Sequence, residues 1–421
     1  MPLPTGWSEG ALGDVCRVVS GATPKTGVPQ YWGGEVPWIT PNDMSQNRAQ
    51  VLDGGERTLT KEGYASCSTR LFPEGSVIVS SRAPIGYVAI AGREMCTNQG
   101  CKTAVPPDSL DSRYLYWYLV AAKPDLEARA SGTTFKEISS RRFAETRLRW
   151  PDLRMQRRIV EILEEHFSHL DAAANYERVA RQRVTALPRS SLQSHFGIGV
   201  GGVRLGDRVA DISAGKSFGS SAAPAGPDEW GIIKVSAMTW GSFDSTQNKA
   251  VPAERVDSRY EIRTGDLLVS RANTSEYVGA SVLVGETRPR LLLSDKSLRV
   301  TPRPGVSSEW LWRALQAPSA RRQISRLATG TKDSMRNISQ GSLRSILIPE
   351  ADAEDQRRSV AAHVEVELAC RRLSGHIDAQ TKRSSALRQA VLAAAFEGKL
   401  TGRHTDTETI EDMVASHRKV K

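Results

Sequence analysis

Two periodicities divide the chain. From Ile159 onward, positions 159, 163, 166, 170, 173, 177, 180, 184, 187 and 191 alternate steps of four and three, and most are apolar, among them Ile159, Leu163, Leu170, Val184 and Leu187. The same steps from 359 to 391 hold Val366, Leu373, Ile377, Leu387 and Val391. A seam repeating every ~3.5 residues belongs to a coiled coil, in which alternate side chains insert into a facing helix. Each stretch predicts a helix of roughly 40 residues, about 60 Å long. His166, Glu177, His363, Gln380 and Ser384 place polar groups in the seam, where they can fix its register at some cost in stability. Pro188 is expected to kink or end the first helix, because it lacks an N–H and clashes with the preceding turn.

Outside these stretches the pattern shortens. Val77 to Ser80, Tyr87 to Ala91, Leu267 to Ser270 and Ser281 to Val284 are brief strand-like runs among Gly and Pro, and helical patterns last only from Tyr114 to Ala121 and Trp310 to Leu315. This predicts two mixed α/β (α+β) units, each followed by a long helix.

The two halves are copies. Gln156-Arg157-Arg158 and Phe196 recur 200 positions later as Gln356-Arg357-Arg358 and Phe396. Upstream, Gly132-Thr133 with Ile138, Phe143, Leu148 and Pro151 recurs as Gly330-Thr331 with Ile338, Leu343, Ile348 and Pro349. Leu12-Gly13-Asp14 matches Leu205-Gly206-Asp207, and Ser81-Arg82-Ala83 matches Ser270-Arg271-Ala272. Such duplication of a supersecondary unit favours two long helices packed antiparallel about a pseudo-twofold axis. The expected boundaries are 1–151 and 203–349 for the two units, 152–202 and 350–402 for the helices with their linkers, and 403–421 for a polar tail.

Composition narrows the function. The 421 residues are 39% hydrophobic with a mean hydropathy of −0.38, and their longest apolar runs fall far short of a membrane span. The start of the chain has no basic and apolar leader pattern, which predicts a cytoplasmic protein without membrane contact. Five cysteines without a C-x-x-C pair predict free thiols and no metal site. A net charge of +10 and a pI near 9.5 favour a polyanionic partner.

Candidate contacts sit at recurring polar positions. Arg82 and Arg271 each follow an apolar strand, where a guanidinium can pair with guanine or phosphate, or simply satisfy loop carbonyls. Thr133 and Lys136 in the first Gly-Thr loop, with Thr331 and Lys332 in the second, offer hydroxyls and cations; Lys102 and Lys296 complete the set of DNA-contact candidates. Tyr31, Trp32, Trp38, Trp230 and Trp240 are expected mainly to pack in cores. No Asn/Asp-Pro-Pro-aromatic methyltransferase motif occurs, and Gly215-Lys216-Ser217 lacks the first glycine of a P-loop. Glu397-Gly398-Lys399 has no acidic partner that would define a nuclease, and the seven histidines have no metal or triad spacing. No catalytic residue is assigned.

Taken together, the twice-repeated order of Gly-Thr, Ile, a strand ending in Pro and Gln-Arg-Arg, with the ending Ala395-Phe396-Glu397-Gly398-Lys399-Leu400, resembles the specificity subunit of type I restriction-modification enzymes. The resemblance implies two target-recognition domains, each reading half of a split DNA sequence, with helices that set the gap. It also implies two modification subunits and two restriction subunits as partners. S-adenosylmethionine, ATP and magnesium are then expected on those partners, with no cofactor on this chain. The alternatives are a protein-binding scaffold built from two repeated domains and, less in keeping with the motifs, a stand-alone nuclease.

Overall fold

The computed structural model describes residues 3–400 apart from 48, 83, 133–135, 200, 221–222, 240 and 334. Thr133, Ala83, Trp240 and the tail from 403 therefore lie outside the described residues. The chain forms two compact units, one from residues 1–177 with 378–421 and one from 178–377.

In the first unit the main sheet contains β1 (Arg17–Ser20), β2 (Val51–Leu52), β3 (Val77–Ser80), β4 (Val88–Ala91) and β5 (Cys101–Val105), in the order β1-β5-β3-β4-β2. All pairs are antiparallel except β4 with β2. The second unit repeats this core with β6 (Val209–Ala214), β7 (Leu267–Ser270), β8 (Ser281–Leu283) and β9 (Ser297–Pro302), in the order β6-β9-β7-β8. A hairpin of β10 (Thr329–Lys332) and β11 (Met335–Asn337) follows. Central β3 and β7 are buried along their whole length, which explains their unbroken apolar runs. In each unit the first strand pairs with the last: Ser8–Ala11 with Arg147–Trp150, and Val203–Arg204 with Leu347–Ile348.

The longer helices are α1 (Ser112–Ala121) and α2 (Leu153–Phe196), then α3 (Ser308–Gln316), α4 (Pro318–Leu327) and α5 (Ala353–Phe396). Both long helices have 44 residues. Each begins in one unit and ends in the other, so every unit holds a segment of both. The recurring motifs have structural reasons. Leu12 and Leu205 are fully buried, and a Cβ on Gly13 would meet Ala144 Cβ at 2.8 Å, so the Leu-Gly-Asp turn needs its glycine for close approach. Gln156, also fully buried, donates to Ser109 O and Pro151 O at 3.0 and 2.9 Å and accepts from Asp111 N at 2.8 Å. Gln356 repeats the clamp on Gly305 O, Ala351 O and Ser307 N. Asp111 and Ser307 are the N-caps of α1 and α3, so this glutamine ties the start of each long helix to the start of the short helix before it.

Helix pairing within each unit is antiparallel. In the first, Asp171 pairs with Arg388, and Glu177 Oε2 accepts from Thr381 Oγ1 at 2.9 Å. Ile159, Leu163 and Phe167 join Val391, Leu392, Ala395 and Phe396 in one core with Tyr114, and the Phe396 ring meets Tyr114 edge-on at 5.4 Å. The second unit differs at the matching positions. Where the first has Leu163, Phe167, Trp117 and Val391, the second has His363, Glu367, Arg313 and Ser191. Trp117 packs against Phe167 at 4.9 Å, whereas Arg313 bonds Glu367 at 3.2 Å. Ser191 Oγ is 2.8 Å from His363 Nδ1, and His363 Nε2 is 3.5 Å from Glu367.

The seam departs from its heptad prediction in places. Leu187 and Leu373 are exposed, while Pro188 and Ser374 turn inward; Phe167 is buried where His166 was expected, and Gln380 is exposed. Ile159, Leu163 and Val391 are buried, and Leu170, Val184, Val366, Ile377 and Leu387 are half-buried. A helix of ~3.6 residues per turn drifts away from a 3.5-residue repeat, so the inward position moves by one. Nor does Pro188 end α2, which runs unbroken to Phe196. Ser191, Leu192 and Phe196 pack into the second unit beyond it, and that burial outweighs the ~3 kcal/mol proline cost.

Candidate nucleic-acid interface

Both units build the same backbone frame beyond the end of their central strand. In the first, Ser81 N donates to Gly100 O at 2.7 Å, and Ser81 O accepts from Ile138 N at 3.0 Å. In the second, Arg271 N donates to Lys296 O at 2.8 Å, and Arg271 O accepts from Ile338 N at 2.9 Å. Next to each lies the Gly-Thr hairpin. Ser131 and Glu137 exchange both backbone hydrogen bonds, while Thr329 opposes Asn337 in a hairpin two residues longer. Gly132 and Gly330 have φ of 118° and 141°, and a Cβ on Gly330 would lie 2.5 Å from Met335 O, so both turns require glycine.

This frame corrects the alignment of the two arginines. Hydrogen bonding equates Arg271 with Ser81, and Arg82 with Ala272, since Arg82 bridges to Glu137 as Ala272 pairs with Asn337. A slip of one residue reverses the face of an extended chain, so the two guanidiniums occupy different positions.

The outward side chains of the two frames share little. In the first unit Arg82 Nη1 lies 3.7 Å and Lys102 Nζ 4.0 Å from opposite oxygens of Glu137, and Gln99 Oε1 accepts from Thr23. Lys102 does not reach solvent as an exposed contact would. It is 5% exposed on central β5, opposite Ser20 of β1 and Val79 of β3, and donates to Gln99 O at 3.1 Å. Burial pushes its pKa down, and Glu137 partly offsets this. Lys136 is exposed. In the second unit Arg271 and Lys332 are exposed, with no side-chain partner among the described residues, and Lys296 lies 3.3 Å from Asp295. Thr331 sits in β10. Arg336, the counterpart of Lys136, is held inward by Gly330 O and Ala328 O.

Glu137, Gln99, Thr23 and Arg336 escaped the sequence reading. Glu137 and Asn337 stand directly before the matched isoleucines, so the repeat itself carried that signal. Trp38 is buried and donates to Ala22 O at 3.0 Å, while Trp32 and Trp230 are half-buried. All five cysteines are free, and burial pushes Cys16, Cys96 and Cys101 up to about 12. Among the described residues, no group of His, Cys, Asp and Glu is arranged to hold a metal, and no helix is long and apolar enough to cross a membrane.

Two α/β units repeated in the sequence, each holding segments of two long helices, give a fold similar to that of solved type I restriction-modification specificity subunits. Residues 4–177 match the family model described as the type I restriction modification DNA specificity domain, in keeping with the resemblance read from the repeated motifs. One solved structure, from work on complex assembly and conformational transition of the type I R-M system, superposes with a TM-score of 0.72 over 95% of this chain and 100% of that one, at 20% identity. The HsdS subunit from Thermoanaerobacter tengcongensis gives 0.61 over 95% and 99%, also at 20% identity. Among curated relatives, the MjaIX specificity subunit of Methanocaldococcus jannaschii is 38% identical over 164 residues, 38% of each chain. The EcoEI specificity subunit of Escherichia coli is 28% identical over 196 residues, 46% of this chain and 33% of that one. The matched segments thus span between one third and two fifths of these relatives.

Proposed function

We propose that this chain is the DNA-recognition subunit of a type I restriction-modification enzyme, with each unit reading one half of a split target. The observation that carries this reading is the repeated backbone frame with altered side chains: buried Ser81 against exposed Arg271, half-buried Arg82 against buried Ala272, Gln99 against Asp295, Glu137 against Asn337. One scaffold with two different chemical faces suits two different half-sites, because hydrogen-bonding groups at base edges supply specificity. The basic charge supplies the phosphate attraction that every sequence shares.

The chain itself performs no chemistry in this reading. The continuous helices α2 and α5 set the spacing between half-sites and provide docking surface for two modification subunits, and two restriction subunits complete the enzyme. S-adenosylmethionine binds the modification subunits, ATP and magnesium serve the restriction subunits, and the assembly works in the cytoplasm.

Methylome sequencing of cells that express the modification subunit, with and without this chain, tests the proposal. The expected result is methylated adenine in a bipartite motif that vanishes without the chain. A complex that forms yet yields no chain-dependent motif, with DNA binding insensitive to salt, overturns it in favour of a protein-binding scaffold.

A further inference from the structure

We propose that Glu137 reads a base in the half-site of the first unit, accepting a hydrogen bond from an exocyclic amino group, and that Lys102 is the positioning residue that holds it. This rests on the DNA-reading function proposed above and assigns a ligand chemistry to one of its two faces.

The starting point is a buried ammonium without an obvious purpose. Lys102 is 5% exposed on a central strand, and its counterpart in the second unit is Leu298, fully buried and apolar. Removing a cation from water is costly, so a lysine retained there needs an anionic partner. Glu137 is that partner, at 4.0 Å, and Arg82 flanks the other oxygen at 3.7 Å. Neither contact is short enough to be a hydrogen bond, so both carboxylate oxygens keep their acceptor capacity. The Glu137 side chain is 41% exposed, which leaves it open to a ligand.

A carboxylate brought among DNA phosphates is repelled unless neighbouring cations neutralise it. Arg82 and Lys102 offset the charge of Glu137, so the carboxylate can approach the duplex while presenting an acceptor. An ionised carboxylate has no proton to donate and therefore selects an amino donor. In the major groove these are N4 of cytosine and N6 of adenine, whereas guanine and thymine present oxygen acceptors. The second unit supplies an internal comparison, for Arg82, Lys102 and Glu137 are replaced there by Ala272, Leu298 and Asn337. Both cations disappear together with the carboxylate they accompany. An ion pair that served only to pin the hairpin would have no reason to leave one face exposed, and the longer second hairpin forms without it.

The test uses the full chain assembled with its modification subunit, carrying Glu137→Gln or Lys102→Met, and reads the methylated motif. Glu137→Gln, which preserves shape and removes charge, is expected to reduce discrimination at one position of one half-site roughly five- to hundredfold. Lys102→Met is expected to relax the same position without altering the salt dependence of non-specific DNA binding, since a buried ammonium neutralises no phosphate. The other half-site stays unchanged in both variants. A wild-type motif retained at every position by Glu137→Gln, in a complex that melts like wild type, overturns the assignment while leaving the recognition function standing. Absence of any bipartite motif for the wild-type complex overturns the recognition function instead.

Discussion

The polar cluster around His363 makes the second unit sensitive to acid in a way that the first is not. His363 is 1% exposed, with Ser191, His195 and Phe196 facing it from α2, Arg313 from α3 and Glu367 on its own helix. Burial holds its pKa below the ordinary 6.5; Arg313 adds to the effect and Glu367 partly opposes it. The neutral imidazole then accepts from Ser191 Oγ at Nδ1 and keeps its proton on Nε2, toward Glu367. Because the folded state binds the proton less readily than the unfolded one, the stability contribution is complete above 6.5 and is lost as the pH falls from there toward the folded value. One proton sets the slope at no more than ~1.4 kcal/mol per pH unit, so the stability of the second unit should fall as the pH drops below 6.5.

His363→Leu installs the residue that the first unit carries at 163 and should remove that acid sensitivity. At neutral pH it leaves the buried Ser191 hydroxyl without its partner, at a cost of about 1–3 kcal/mol. Adding Ser191→Val, which reproduces the Leu163 and Val391 pair of the first unit, should recover most of this loss. Hydrogen exchange of peptides from α3 and the first half of α5, across a pH series, measures each variant. A His363→Leu protein that keeps the wild-type acid dependence refutes the reasoning, as does a double variant whose loss equals the sum of the two single losses.

Three further outcomes are expected. Gln356→Leu leaves Ser307 N, Gly305 O and Ala351 O without their clamp and should destabilise the second unit by roughly 2–4 kcal/mol, read by hydrogen exchange at the starts of α3 and α5; unchanged protection there contradicts the role given to the clamp. Arg271→Ala should relax the half-site read by the second unit while complex formation and the other half-site persist, as methylome sequencing would report. Removing seven residues from both α2 and α5 should change the gap of the methylated motif and leave both half-sites intact; an altered half-site argues against the spacer role.

Much of this architecture was legible in the sequence because its signals are local or repeated. A seam sustained over some 40 residues identifies a long helix regardless of its surroundings. The duplicated Leu-Gly-Asp and Gln-Arg-Arg motifs marked the repeat, and the structure gives the reason they recur, since glycine and a buried amide each answer one steric or hydrogen-bonding need. What escaped depends on partners distant in the chain. Lys102 reads as a surface cation until β1, some eighty residues earlier, pairs beside it and buries it. Arg82 and Arg271 look equivalent by spelling, and only the hydrogen bonds to Gly100, Lys296, Ile138 and Ile338 reveal the one-residue slip that places them differently. Leu187 and Leu373 fit the heptad yet lie exposed, because a helix keeps its own ~3.6-residue turn where packing does not bend it to the pattern. The sequence by itself determined the two long helices, the buried central strands and the duplication that relates the two halves. Tertiary structure alone decided which face of each element is buried, for burial is fixed by the neighbours that remove water, and those neighbours come from elsewhere in the chain.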